Sequence, residues 1–214
     1  MAILNKNEAT GSWDNAYPIP RVGEADPASP TRLCIPSLLV LLSVLLAGAG
    51  RTASAQSNDD EYRVKAAFLF HFAQLIDWPA DKFTVADNSF YLCTFGEDPF
   101  QGGLESTLAG RTIGNRAIRI RHLKQPPDLQ GCHLLFIGKA QSKVIPVLLA
   151  DLRNAPVLTV GETPDFLSAG GMICFRLEES RVRFGINLNA AEAARLKIGS
   201  RLLMLAQNVI GGKP

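Results

Sequence analysis

Downstream of residue 55 the side chains with the widest chemical range are the cysteines Cys93, Cys132 and Cys174 and the histidines His71, His122 and His133. No two of the cysteines are close in sequence and the histidines share no spacing, so no metal-ligand pattern is expected. In an oxidising compartment a pair of the thiols would bridge and an odd one would remain, and the sequence alone leaves three pairings open. The chain carries no G-x-S-x-G elbow, H-E-x-x-H, P-loop or G-x-G-x-x-G, which are the short signatures of nucleophilic, zinc-dependent and nucleotide chemistry. Gly96-Glu97-Asp98-Pro99 sets two carboxylates where an α/β fold would otherwise receive a phosphate. Those charges suit a helix dipole and repel an anion. An enzyme would need a paired acid and base, and none is visible. Neither catalytic residues nor a cofactor are therefore expected.

What remains is basic. Arg111, Arg116, Arg119, Arg121, His122 and Lys124 lie on or beside one alternating segment. They form either a surface for an acidic partner or a charged edge strand that resists aggregation. Arg181, Arg183 and Asn187 share one face of a later strand and form a second ligand- or partner-facing candidate. Residues 1–55 hold four of the 22 basic and four of the 20 acidic side chains, which leaves 18 against 16. So even a balance gives no electrostatic case for nucleic acid.

These groups must be positioned by elements that the apolar pattern foretells. Residues 61–78 read as a helix ended by Pro79, with Tyr62, Phe68, Leu69, Phe72, Leu75 and Ile76 on a broad apolar stripe and His71 on that side. Phe70 falls instead among Arg63, Gln74 and Asp77, on the polar side, where it is either a second packing surface within the fold or a candidate partner contact. Strands are expected at 90–95, 117–123, 132–137, 156–160, 172–177 and 182–188, with Glu178-Glu179-Ser180 as a hairpin turn. Helices are expected at 98–109 and 140–153, and a short one from Thr163-Pro164 to Gly170-Gly171. Asn189 with Glu192 resembles a capping box, and a helical tail breaks near Gly199 and restarts to about Ile210. Apolar strands separated by helices predict a single α/β domain with a mixed, mainly parallel sheet and helices on both faces.

The first 55 residues do not look like part of that domain. Arg32 precedes an apolar run from Cys34 to Ala47, and Ala53-Ser54-Ala55 follows. A basic residue, an apolar stretch shorter than the ~20 residues of a membrane span, and an A-x-A site are the parts of a secretory signal peptide. The expectation is a leader and signal peptide over 1–55, cut before Gln56, and a domain over 56–214. Cys34 precedes the apolar core and would leave with it.

Residues 61–79 (EYRVKAAFLFHFAQLIDWP), 132–138 (CHLLFIG), 156–175 (PVLTVGETPDFLSAGGMICF), 182–188 (VRFGINL) and 202–206 (LLMLA) resemble the YfiR family, in order and across the chain beyond residue 55. The resemblance implies a periplasmic repressor, dimeric and disulfide-bonded. Such a protein holds an inner-membrane diguanylate cyclase of the YfiN type inactive and is sequestered by a YfiB-like outer-membrane lipoprotein. It also implies that Cys93 pairs with Cys132. Cys174 matches half of a second family pair whose other position, near Leu167, carries no cysteine, so Cys174 is expected to stay a thiol. A periplasmic small-molecule sensor feeding a different membrane protein, such as a histidine kinase, is the alternative. It would need a concave pocket with convergent polar groups.

Overall fold

In the computed structural model, residues 52–83, 87–125, 129 and 131–212 are described. The apolar run from Cys34 to Ala47 lies outside them, and the A-x-A residues fall in the first turn of a helix, α1 (Thr52–Leu75). No described helix is long and apolar enough to cross a membrane.

The short apolar segments FYLCTF, LLFI and LTVG become β2 (Phe90–Phe95), β5 (Leu134–Ile137) and β6 (Leu158–Gly161), buried almost throughout. Strands without polar alternation must be covered on both faces, and parallel pairing delivers that cover. β2 pairs in parallel with β5 and with β4 (Arg116–Leu123), and β5 pairs in parallel with β6. β3 (Thr112–Ile113) is a short antiparallel addition to the start of β4. β6 runs parallel to β7 (Ile173–Glu178), which turns back antiparallel into β8 (Arg181–Asn187). The turn residues Glu179 and Ser180 both have positive φ, 48° and 60°, as a two-residue type I′ hairpin requires. β10 (Asn208–Ile210) closes the order β10-β8-β7-β6-β5-β2-β4-β3.

Helices cover both faces, as the sequence predicts. On one face α1, α2 (Gly103–Leu108), α4 (Leu188–Ala193) and α5 (Ser200–Leu205) bury Leu69, Phe72, Leu104, Ala191 and Leu202 against Phe90, Phe136, Phe175 and Phe184. On the other, α3 (Ile145–Leu152) and the 163–170 segment bury Leu148, Leu152, Phe166 and Leu167 against Phe95, Leu135 and Cys174. The motif around Phe166 has a packing explanation. A methyl group on Gly161 or Gly171 would lie 2.3 or 2.2 Å from the Phe166 ring, so the ring is clasped between two residues that must lack Cβ.

Several expectations need correction. The first helix stops at Leu75, because Ile76–Asp77 (β1) pairs with Lys197–Ile198 (β9). Trp78 then folds back, its indole N–H donating to Ala73 O at 3.1 Å and its ring meeting Phe90 edge-on. The expected helix at 163–170 is a run of turns. The tail does not restart as helix to Ile210: α5 ends at Leu205, and residues 208–210 pair in parallel with β8. Asn189 is not the cap of α4. Asn187 is, its Oδ1 accepting from Ala190 N at 3.1 Å.

Candidate partner-binding surface

The first basic feature follows the pleat of β4. Ile118 and Ile120 pack toward α1 and α2, while Arg119 and Arg121 point to the α3 face beside Tyr91 and Cys93 of β2. Among the described residues no strand pairs with the outer side of β4 beyond residue 117, and Arg119 is exposed there. That is how a charged residue blunts an open edge. Arg121 has a partner instead. Its guanidinium lies 3.6 Å from the Tyr91 ring centroid, and Nη1 lies close over Gly131, next to Cys132. The Tyr91 hydroxyl donates to Asp87, and this hydrogen bond, with one from Ser89, holds the Asp87 carboxyl below its ordinary range. Arg116 and Arg111 likewise cover Phe83 and Phe70, at 3.8 and 4.8 Å. Three of the arginines therefore seal aromatic rings.

The bridge beneath Arg121 is Cys93–Cys132, with Cα atoms 5.9 Å apart, joining β2 to the residue that leads into β5. His133 follows it inward, 4% exposed and stacked on Phe83 and Phe90. Its Nδ1 accepts from Tyr91 N at 3.0 Å. Burial first, then the charges of Lys82 and Arg116, pull its pKa down to about 4. It is a neutral packing group at neutral pH. Cys174 stays a buried thiol that donates to Thr163 O at 3.2 Å, and burial pushes its pKa up.

Of the two roles open to Phe70, packing is the one the structure shows, and the partner contact is ruled out by burial. Phe70 is 7% exposed and belongs to the core, with α2 and Arg111 closing over what periodicity makes a wet face. His71, expected on the apolar side, is exposed. Asn187 is committed twice: besides capping α4, its Nδ2 donates to Leu167 O at 2.9 Å.

Arg183 is exposed on β8, directly across from Arg176. It does not join Arg119 and Arg121. Five strand-to-strand steps separate β8 from β4, a distance of about 24 Å at ~4.8 Å per step. Arg183 instead rims a cleft of about 690 Å³ between α1 and the β7–β8 hairpin. Val64 and Leu177 stand exposed in it, at 45% and 52%, above Phe68 and Val182.

The sequence reading missed the group beside that cleft. Lys65 is 2% exposed, and its ammonium pairs with Glu61 at 2.5 Å and with the buried carboxylate of Glu162. Glu162 also accepts from the Tyr62 hydroxyl and from Lys139 N, each at 3.0 Å. Burial and the adjacent Glu162 charge push the Tyr62 phenol far above its ordinary range, so it remains a donor. The signal was in the helical spacing: Lys65 stands three residues after Tyr62 and four before Leu69, in the middle of the apolar stripe. A second cleft of about 640 Å³ opens over this group, with Arg176 and Phe175 in its wall.

Residues 62–207 match the YfiR/HmsC-like family. Among solved structures, a conserved domain protein from Vibrio cholerae O1 biovar El Tor is 10% identical with a TM-score of 0.43, over 57% of this chain and 55% of that one. The ABC domain from Streptococcus pneumonia in complex with L-Trp gives the same identity and TM-score, over 57% and 56%. The chain thus spans just over half the length of those two structures, and a likeness of that size carries over neither fold nor function. The family match takes in α1 from Tyr62, the bridged β2–β5 pair, the Phe166 clasp and the β7–β8 hairpin, so this chain belongs to the YfiR/HmsC-like family.

Proposed function

We propose that the chain is exported to the periplasm, where it holds an inner-membrane diguanylate cyclase of the YfiN type inactive by binding the cyclase's periplasmic portion. The family match over residues 62–207 carries this reading, because the family is one of regulators. The Cys93–Cys132 bridge supports an oxidising compartment. Of the two candidate surfaces, the Arg183 cleft has the better anatomy for a protein partner. Exposed Val64 and Leu177 line it together with the charged side chains of Asp60, Arg181 and Arg183. Desolvated apolar anchors inside a polar rim carry most protein–protein affinity. Arg119 on the β4 edge is suited to steering the encounter, an effect that salt screens. A YfiB-like lipoprotein that withdraws the repressor, and a homodimeric state, belong to the same proposal.

The cleft over Lys65 and Glu162 favours a second reading, a periplasmic sensor of a small molecule that signals to another membrane protein such as a histidine kinase. Polar groups converge there above the apolar surface of Phe175 and Leu177. Deleting the gene separates the two. Under the first reading cellular cyclic di-GMP rises. If it does not change and the cognate membrane protein proves to be a kinase, the sensor reading replaces it.

A further inference from the structure

Asp98, Glu105 and His122 come from three different elements and meet at one corner of the sheet. Each offers one ligand atom, and these atoms all lie within 4.8 Å of one another. Asp98 stands in the turn after β2, Glu105 in α2 and His122 near the end of β4. No sequence spacing announces them, because the β2–β4 register creates the meeting by setting Thr94 opposite His122.

We propose that these three side chains form a zinc site. The imidazole is held from behind: its Nδ1 lies 2.8 Å from the hydroxyl of Thr94, which is wholly buried, and its Nε2 lies 2.7 Å from Glu105 Oε1. Without metal the Nε2 contact is an N–H donated to the Glu105 carboxylate; zinc would displace that proton, with Nδ1–H then donating to Thr94 Oγ1 and the Nε2 lone pair facing the metal. Metal-binding histidines are oriented in this way by a partner on the other ring nitrogen. Asp98 is fixed by one oxygen, Oδ1, which accepts from Phe100 N at 3.0 Å, and its second oxygen is left to ligate. One nitrogen and two carboxylate oxygens suit Zn²⁺, whose fourth position in a site of three protein ligands is taken by water. Two carboxylates and a neutral imidazole also balance a divalent charge. Ligand atoms about 2.1 Å from zinc lie about 3.4 Å apart in a tetrahedron. The three ligand atoms, all within 4.8 Å of one another, stand within reach of that spacing. The His122 and Glu105 side chains are 40% and 45% exposed, which provides the entry path. Bound zinc would tie α2 and the β2 turn to the free edge of the sheet.

The test is zinc titration of tag-free protein, by calorimetry and by competition with a chromophoric chelator, with thermal unfolding followed in parallel. One zinc should bind per chain and raise the unfolding temperature, while calcium and magnesium, which prefer all-oxygen shells, should not compete. Glu105→Gln and His122→Asn should each weaken binding at least tenfold. Thr94→Val, which removes only the positioning hydroxyl, should weaken it about ten- to a hundredfold. Glu105 is exposed, so its amide variant keeps the fold and decides the matter even if a variant at His122 or Thr94 does not. Absence of saturable zinc binding overturns the proposal. So does binding that survives Glu105→Gln undiminished, or equal binding of calcium.

Discussion

Lys65 and Glu162, 97 positions apart, form an ion pair with both side chains 2% exposed, and it joins the first helix to the end of β6. Glu61 adds a second carboxylate, and Tyr62 and Lys139 supply the remaining donors to Glu162. Removing one charge from a buried pair costs about 3–5 kcal/mol when nothing else compensates the other, and Glu61 beside Lys65 places the loss of Glu162 at the lower end of that range. Glu162→Ala should show that loss in urea unfolding. Replacing both charges, as Lys65→Met with Glu162→Gln, should cost far less than the two single losses added together. An additive double variant would mean that the two residues do not act as a pair.

His133 makes stability depend on pH. Its pKa is about 4 in the folded chain, against 6.5 for the free side chain. Above pH 6.5 neither state binds the proton and stability is full. Between pH 6.5 and 4 only the unfolded chain binds it, so stability falls as pH falls. Between pH 7 and pH 5 the loss from this group is about 2 kcal/mol. Urea titrations at the two pH values should show it, and His133→Gln should remove that part of the slope. A variant with the parent slope would contradict the assignment.

Much of this architecture was legible in the sequence. Continuous apolar runs such as Cys132–Ile137 mark strands covered on both sides, and the structure pairs them in parallel. Elements set by tertiary pairing were not legible. β1 and β9 are two residues each, and β10 is an exposed strand whose only reason to extend is the free side of β8. Phe70 stayed open for a related reason: periodicity ranks one helix face as wet, whereas α2 and Arg111 supply a second packing contact that no local pattern contains. Lys65 sat in plain view on the apolar stripe, but its partner Glu162 lies in another element.

The Phe166 clasp makes a sharp local prediction. Gly171→Ala drives a methyl into the ring, and overpacking of this kind costs about 1–3 kcal/mol. Phe166→Ala opens a cavity instead, at about 3–5 kcal/mol. Combining them should recover part of the glycine variant's loss, since the added methyl then enters vacant space. Strict additivity in chemical denaturation would show that ring and glycine are independent.

The bridge can be checked by counting thiols. Labelling of denatured, non-reduced protein that begins at Gln56 should modify Cys174 alone, and modification of three sites would refute the pairing. With the bridged positions 39 apart in sequence, Cys93→Ser/Cys132→Ser should lose about 4 kcal/mol in the chain-entropy description.

The hairpin turn should be improvable. Glu179 and Ser180 hold positive φ without being glycine or asparagine. Glu179→Asn with Ser180→Gly supplies the residues that a type I′ turn prefers and should stabilise by about 1 kcal/mol, read as a higher urea midpoint. An unchanged or lower midpoint would mean the turn carries no strain to relieve.

Cellular cyclic di-GMP tests repression by binding most directly. It should be measured in the deletion strain, in that strain carrying the wild-type gene, and in that strain carrying Leu177→Asp/Arg183→Glu, whose two changes alter only exposed positions of the cleft. The account predicts that deletion raises cyclic di-GMP, that the wild-type gene lowers it again, and that the double variant, exported and folded, lowers it poorly. Unchanged cyclic di-GMP on deletion would contradict repression itself, and full repression by the double variant would remove the cleft as the surface that delivers it.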